Sequence, residues 1–234
     1  MTRGLGAARS GAAPAALPPA TPPAPAAPAA PAGWYRCKPA AQAMLRPLVD
    51  LLVARRVPAD LLTLLAVPVA ALGGACLALA DDRPTLLLAV PALAAARLVL
   101  NLLDGQVARR SGSVHPMGEV ANELGDRIAD VLFLGGLAFV TGVGALPAAI
   151  AIVAALLASL AGIAAKAAGA PRQYGGVMSK PARMVVLAVA APLAWLVASP
   201  APLLLGAWLI ALGSVVTLVQ RVRAAGSALD RVWP

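Results

Sequence analysis

Six apolar stretches, at about residues 59–80, 84–108, 122–143, 145–168, 182–199 and 201–222, dominate this sequence. Each approaches the roughly 20 residues that a helix needs to cross a bilayer. The chain is 60% hydrophobic and only 12% charged, with a mean hydropathy of +0.82, so it lacks the polar surface of a soluble domain. The runs are continuous rather than alternating, which fits helical spans better than an outer-membrane barrel. The reading is an all-α integral membrane protein of six transmembrane helices, with an N-terminal amphipathic interfacial helix.

The flanks complete the organisation. Residues 1–33 are almost wholly Ala, Pro and Gly and read as a disordered tail. Residues 34–57 are basic and amphipathic and suit a helix lying along the membrane interface. The six-helix domain then occupies 58–223, with a C-terminal tail over 224–234. Fourteen basic residues fall on the side of the amino terminus and only Arg83 on the other, which predicts a multi-pass cell-membrane protein with both termini cytoplasmic. The net charge of +9 comes from these run edges, where Lys and Arg orient helices and meet anionic membrane lipids, so no nucleic-acid partner is expected. Cys37 and Cys76 have no metal-ligand spacing.

One stretch departs from the apolar pattern: residues 101–126, NLLDGQVARRSGSVHPMGEVANELGD. A charged group at membrane depth costs roughly 2.5 to 3.5 kcal/mol on insertion scales, so this cluster marks a site with partners, ions or a wet cavity. Asn101 and Asp104 share one helix face, and Asn122, Asp126 and Asp130 line another at intervals of four. Gly105 and Gly118 leave room beside these ladders for backbone or phosphate. Oxygen-only ligands select hard cations, and Mg2+ is commonly held together with substrate phosphates.

The spacing resembles the CDP-alcohol phosphatidyltransferase family, whose motif is D-x2-D-G-x2-A-R-x8-G-x3-D-x3-D. Here it reads N-x2-D-G-x2-A-R-x8-G-x3-N-x3-D through Asn101, Asp104, Gly105, Ala108, Arg109, Gly118, Asn122 and Asp126. The resemblance covers about residues 40–223. It implies transfer of a phosphatidyl group, or a similar phosphoryl group, from a CDP-linked lipid to the hydroxyl of a polar alcohol, with release of CMP. It further implies two bound divalent cations, Mg2+ or Mn2+, on the pyrophosphate and a homodimer, while the basic asymmetry puts the active site at the cytoplasmic end of spans two and three. By position, Asp104 and Asp126 are implied metal ligands and catalytic groups, with Asp126 the candidate base, while Gly105, Ala108 and Arg109 shape the CDP site.

The chain departs from that pattern at two aspartates. Asn101 and Asn122 offer neutral oxygens at metal-ligand positions, which predicts weaker metal binding. Asp130 is a further candidate ligand that could restore one charge, or a surface ion-pair partner of Arg127; a register ending on Asp126 and Asp130 is an alternative. Lys180 and Arg183, in the basic stretch 171–184, could grip a substrate phosphate or simply anchor the loop. Glu123 is placed to pair with Arg127, and Glu119 and His115 in or near a solvated loop. The rival readings are a non-catalytic relative binding nucleotide or ion, and a small transporter.

Overall fold

The structure, a computed structural model, describes residues 38–231. The Ala/Pro-rich segment 1–33, residues 34–37 with Cys37, and residues 232–234 lie outside the described residues. Among the described residues every regular element is helical.

The amphipathic segment forms two short helices instead of one, α1 (Lys38–Met44) and α2 (Arg46–Ala54). Pro47 sits in the first turn of α2, and with no N–H to donate and a ring that crowds the preceding turn it cannot continue α1. Six long helices follow: α3 (Ala59–Ala78), α4 (Val90–Ser111), α5 (Pro116–Gly135), α6 (Ala145–Ala167), α7 (Lys180–Leu196) and α8 (Ala201–Leu229). A 3-10 stretch, Pro84–Ala89, leads into α4, and another, Gly136–Phe139, extends α5. Pro91 falls in the first turn of α4, where a proline is tolerated. Pro68 and Pro192 are interior to α3 and α7. Helix α8 runs on to Leu229, past the end of its apolar run.

Four of these segments are long and apolar enough to cross a membrane: Ala59–Ala78, Pro84–Ser111, Ala145–Ala167 and Ala201–Leu229. The chain is thus a multi-pass membrane protein. Helix α5 carries Glu119, Glu123, Asp126, Arg127 and Asp130 within its 20 residues, and α7 has only 17 residues.

Small side chains bring the helices together, because lipid offers no hydrophobic force between them and close backbone approach must supply the attraction. On α6, Ala148, Ala151, Ala155, Ala158, Gly162 and Ala165 form a buried stripe at intervals of three and four. It packs on α8, which buries Leu203, Ala207, Ile210, Ser214 and Thr217 in the same rhythm. Helices α3 and α5 meet more closely still: a Cβ on Gly74 would run into the carbonyl of Leu132, and one on Gly136 into the carbonyl of Gly74. Phe133 fills the space beside Gly73 and is fully buried.

The connections gather at two ends of the bundle. At one end, Asp50 of α2 pairs with Arg110 of α4 at 2.7 Å, His115 meets Asp60 at 3.2 Å, and Lys166 at the end of α6 pairs with Glu119. At the other end, the Asp81 carboxylate accepts from the Thr141 N–H at 2.8 Å, beside residues 194–200. The polar ends of α4 and α5 lie at the first of these.

Candidate active site

Two features set the geometry between α4 and α5. Helix α4 closes on Gly112 in the left-handed region (φ 69°), and α5 opens three residues later with His115 as its cap, whose Nδ1 accepts from the Gly118 N–H at 2.9 Å. A side chain at Gly118 would crowd the His115 ring. The tight reversal leaves Asn101 and Asp104 of α4 facing Asn122 and Asp126 of α5.

There the Asn101 Nδ2 donates to Asp126 Oδ1 at 2.7 Å, and the Lys180 ammonium, from the first turn of α7, binds the same oxygen. The Asp104 carboxylate accepts from Thr63 Oγ1 at 3.0 Å and from the Gly105 N–H at 2.5 Å. The side-chain oxygens of Asn101 and Asn122 are both buried without a hydrogen-bond partner. A buried amide oxygen left open in this way is costly and points to a missing donor or cation.

These groups line a cavity of about 410 Å3, joined by shared residues to a second of about 520 Å3 that extends over Gly105 and Ala108 to Ser113 and Gly118. All eight positions of the spaced motif face one cavity or the other. Arg109 folds back over Gly105, where a Cβ would stand 3.2 Å from its guanidinium. The far wall comes from outside the motif. Tyr174 carries the Arg172 guanidinium 4.7 Å and the Lys38 ammonium 5.8 Å from its ring centre, within cation–π range. Burial, together with Arg109 and Arg172 nearby, lowers the pKa of Lys38.

Two expected site residues turn out to be placed differently. Asp130, a candidate metal ligand, is 1% exposed, and both of its oxygens are taken: Arg97 reaches Oδ1 at 2.6 Å and Arg183 reaches Oδ2 at 2.9 Å. It lines neither cavity, so it belongs to a buried ion cluster and not to a cation, and the register ending on Asp126 and Asp130 gains no support. Arg183, a candidate phosphate ligand, is committed to Asp130 and directed at the Ala155 carbonyl. It borders only a narrow pocket of about 40 Å3 shared with Asp126, Lys180, Arg127, Arg172 and Arg221. Arg127 pairs with Glu123 at 2.6 Å and not with Asp130, and Arg172 joins the same carboxylate.

Sequence reasoning passed over Arg97, Thr63 and the Tyr174 wall. Arg97 carried a usable signal, since it is a lone charge deep in an apolar run one turn before Asn101, and such a charge at membrane depth requires a partner. Thr63 carried none.

The donor set suits a hard divalent cation. It consists of the Asp104 and Asp126 carboxylates and two unpartnered amide oxygens, all oxygen donors, with room left for substrate phosphate. Among the described residues, no three His, Cys, Asp or Glu side chains come together, so the amide oxygens are part of the donor set.

The comparisons with known proteins agree on one relationship. Over 97 residues the chain is 38% identical to the inner membrane protein YnbA of Escherichia coli, covering 42% of this chain and 48% of that protein. It is 30% identical over 145 residues to the phosphatidylinositol phosphate synthase of Mycolicibacterium smegmatis, covering 58% and 65%. The chain thus spans about half to two thirds of the length of these curated relatives. The fold matches the crystal structure of a Mycobacterium tuberculosis phosphatidylinositol phosphate synthase with CDP-DAG bound, at a TM-score of 0.64 and 26% identity, covering 78% of this chain and 93% of that one. The same synthase in complex with manganese and citrate matches with a TM-score of 0.64 at 25% identity, over 78% and 88%. The model of one family, CDP-alcohol phosphatidyltransferase, matches residues 56–219, and this chain belongs to that family.

Proposed function

We propose that the protein transfers a phosphatidyl group from a CDP-linked lipid to the hydroxyl of a polar alcohol and releases CMP. The observation that carries this reading is the convergence of all eight motif positions on two joined cavities, two of the lining residues holding buried amide oxygens without a partner. The relatives support it: one bears the name phosphatidylinositol phosphate synthase, and a solved synthase holds CDP-DAG.

In this reading the cytidine and pyrophosphate lie over Gly105, Ala108, Arg109 and Gly118, where bare backbone and a guanidinium suit a bulky anion. Asp104, Asp126, Asn101 and Asn122 would hold Mg2+ or Mn2+, which when bound supplies positive charge to the pyrophosphate. The acceptor oxygen forms a bond to the phosphorus carrying the diacylglycerol. The bond from that phosphorus to the bridging oxygen breaks, and CMP leaves with the electron pair. Asp126 takes the hydroxyl proton, and Asn101 and Lys180 orient its carboxylate. Lys38, Arg109, Arg172 and Lys180 around the first cavity favour an acceptor that carries its own phosphate, with inositol phosphate the first to test.

The finer architecture belongs to the same proposal. All six long helices cross the membrane, with both termini and the active site cytoplasmic, as the fourteen-to-one basic asymmetry favours. The segment before α3 lies along the interface, and the protein works as a homodimer, the last on family resemblance alone.

The test is CMP release by the purified full-length protein from CDP-diacylglycerol, with Mn2+ or Mg2+ and a panel of polar alcohols. Release that depends on one acceptor carries the proposal. No release with any acceptor, together with retained CDP binding, replaces it with a non-catalytic nucleotide-binding role.

A further inference from the structure

The charge around the site does not suit a pair of metal ions. The cavity that holds Asp126 is lined by three carboxylates, Asp104, Glu123 and Asp126, against four cations, Lys38, Arg109, Arg172 and Lys180. Glu123 is already taken up by Arg127 and Arg172. That leaves Asp104 and Asp126 to meet an incoming ion. Paired-metal sites that clamp both the attacking and the leaving oxygen place two dications close together, which needs carboxylates to match them.

The two carboxylates are also unequal. Asp104 is bound only by neutral donors, Thr63 Oγ1 and the Gly105 N–H. Asp126 Oδ1 carries the Lys180 ammonium and the Asn101 amide on the same atom. A dication brought to Asp126 would have to settle against a fixed ammonium, with no further free carboxylate to offset the repulsion. The Lys180 side chain is only 14% exposed and rises from the first turn of α7, behind Pro181, so it has little freedom to swing away.

We propose that the site takes a single divalent cation on the Asp104 side, held with the open amide oxygens of Asn101 and Asn122, and that the Lys180 ammonium is the built-in second cation beside Asp126. One mobile dication then balances the two charges of a pyrophosphate, and the protein itself supplies the remaining positive charge. Lys180 is a positioning residue for Asp126 and a fixed countercharge for the substrate. This inference rests on the proposed transferase reading of the same site and narrows its cation ligands to Asp104, Asn101 and Asn122, leaving Asp126 to act as the base.

The test counts metal by Mn2+ titration of the detergent-purified full-length protein in the presence of CDP, read by electron paramagnetic resonance. The expected result is one Mn2+ per chain at saturation, with the six-line spectrum of an isolated ion. Two ions per chain, with the broadening of a coupled pair, or none at all, overturns the proposal. The double variant Lys180→Asn with Asn122→Asp removes the ammonium and adds a carboxylate, and should take two coupled ions. If it folds and still takes one, the assignment of Lys180 fails. The wild-type count decides the matter even if that variant does not fold. CMP release measured on the same wild-type sample separates the two readings: two ions with release sinks only the single-cation inference, whereas absent release sinks the transferase reading.

Discussion

Arg97 and Asp130 meet at 2.6 Å in the middle of the bundle, the arginine fully buried and the aspartate 1% exposed. Arg183 closes on the other oxygen of Asp130, so one carboxylate is shared between two guanidinium groups that join α4, α5 and α7. Arg97 also donates to the Asp126 carbonyl at 3.2 Å, which ties this cluster to the helix turn that carries the candidate base.

The cluster predicts an order of damage. Removing one member of a buried ion pair costs about 3 to 5 kcal/mol because the partner is left uncompensated. Asp130→Asn strands two arginines, whereas Arg97→Met leaves Asp130 and Arg183 as a matched pair. Thermal unfolding in detergent should therefore show the larger fall in Tm for Asp130→Asn. Equal losses would mean that the two guanidinium groups are not sharing one carboxylate.

A second prediction concerns two adjacent glycines. Gly136→Ala drives a methyl into the Gly74 carbonyl, while a Cβ at Gly135 meets nothing within 4 Å. Overpacking of this kind costs about 1 to 3 kcal/mol, so Gly136→Ala should lower stability by that order and Gly135→Ala should leave it within about 0.5 kcal/mol. Denaturation of the two variants side by side checks it, and a matched loss would show that α3 and α5 do not pack this closely.

Helix placement was readable because hydropathy acts over whole segments: each of the six apolar runs overlaps a long helix, although α5 begins at Pro116 and ends at Gly135 against an apolar run at 122–143. The motif was readable because its residues are local, on the end of one helix and the start of the next. What the sequence hid depends on long-range pairing. Asp130 lies 33 residues from Arg97 and 53 from Arg183, so nothing nearby in sequence marked it as an ion-pair residue instead of a ligand. Glu123 and Arg127, four apart on one helix, were foreseeable and do pair. The break at Leu45 was also legible in principle, since Pro47 cannot donate to the turn before it.

The proposed topology is open to cysteine labelling. Ser179 is 1% exposed and would report poorly, whereas Ser111 and Asp82 are exposed and sit at opposite ends of the bundle. In a background lacking Cys37 and Cys76, a cysteine at position 82 should react with an impermeant reagent in intact cells, and one at position 111 only after permeabilisation. The reverse pattern would invert the orientation and move the site to the outer face.

The last prediction separates the two asparagines that stand at ligand positions. Both amide oxygens are buried without a partner, yet only Asn101 also uses its nitrogen, donating to Asp126 at 2.7 Å. Asn101→Asp would exchange that donor for a carboxylate pressed against another carboxylate, so part of any gain in metal affinity is lost to repulsion within the site. Among the described residues the Asn122 side chain makes no hydrogen bond, so Asn122→Asp breaks none and places a charge where an unpartnered oxygen already lies. Calorimetric titration of Mn2+ without substrate should therefore show tighter binding for Asn122→Asp by about tenfold or more, corresponding to about 1.4 kcal/mol, and a smaller gain for Asn101→Asp. Adding CDP should narrow the difference from wild type, because the pyrophosphate supplies the charge that the asparagines lack. Asp104→Asn removes one of the two remaining carboxylates and should abolish both metal binding and CMP release. If Asn101→Asp gains as much as Asn122→Asp, the hydrogen bond to Asp126 does not govern the site. If Asp104→Asn binds Mn2+ like wild type, the cation is not held at this motif.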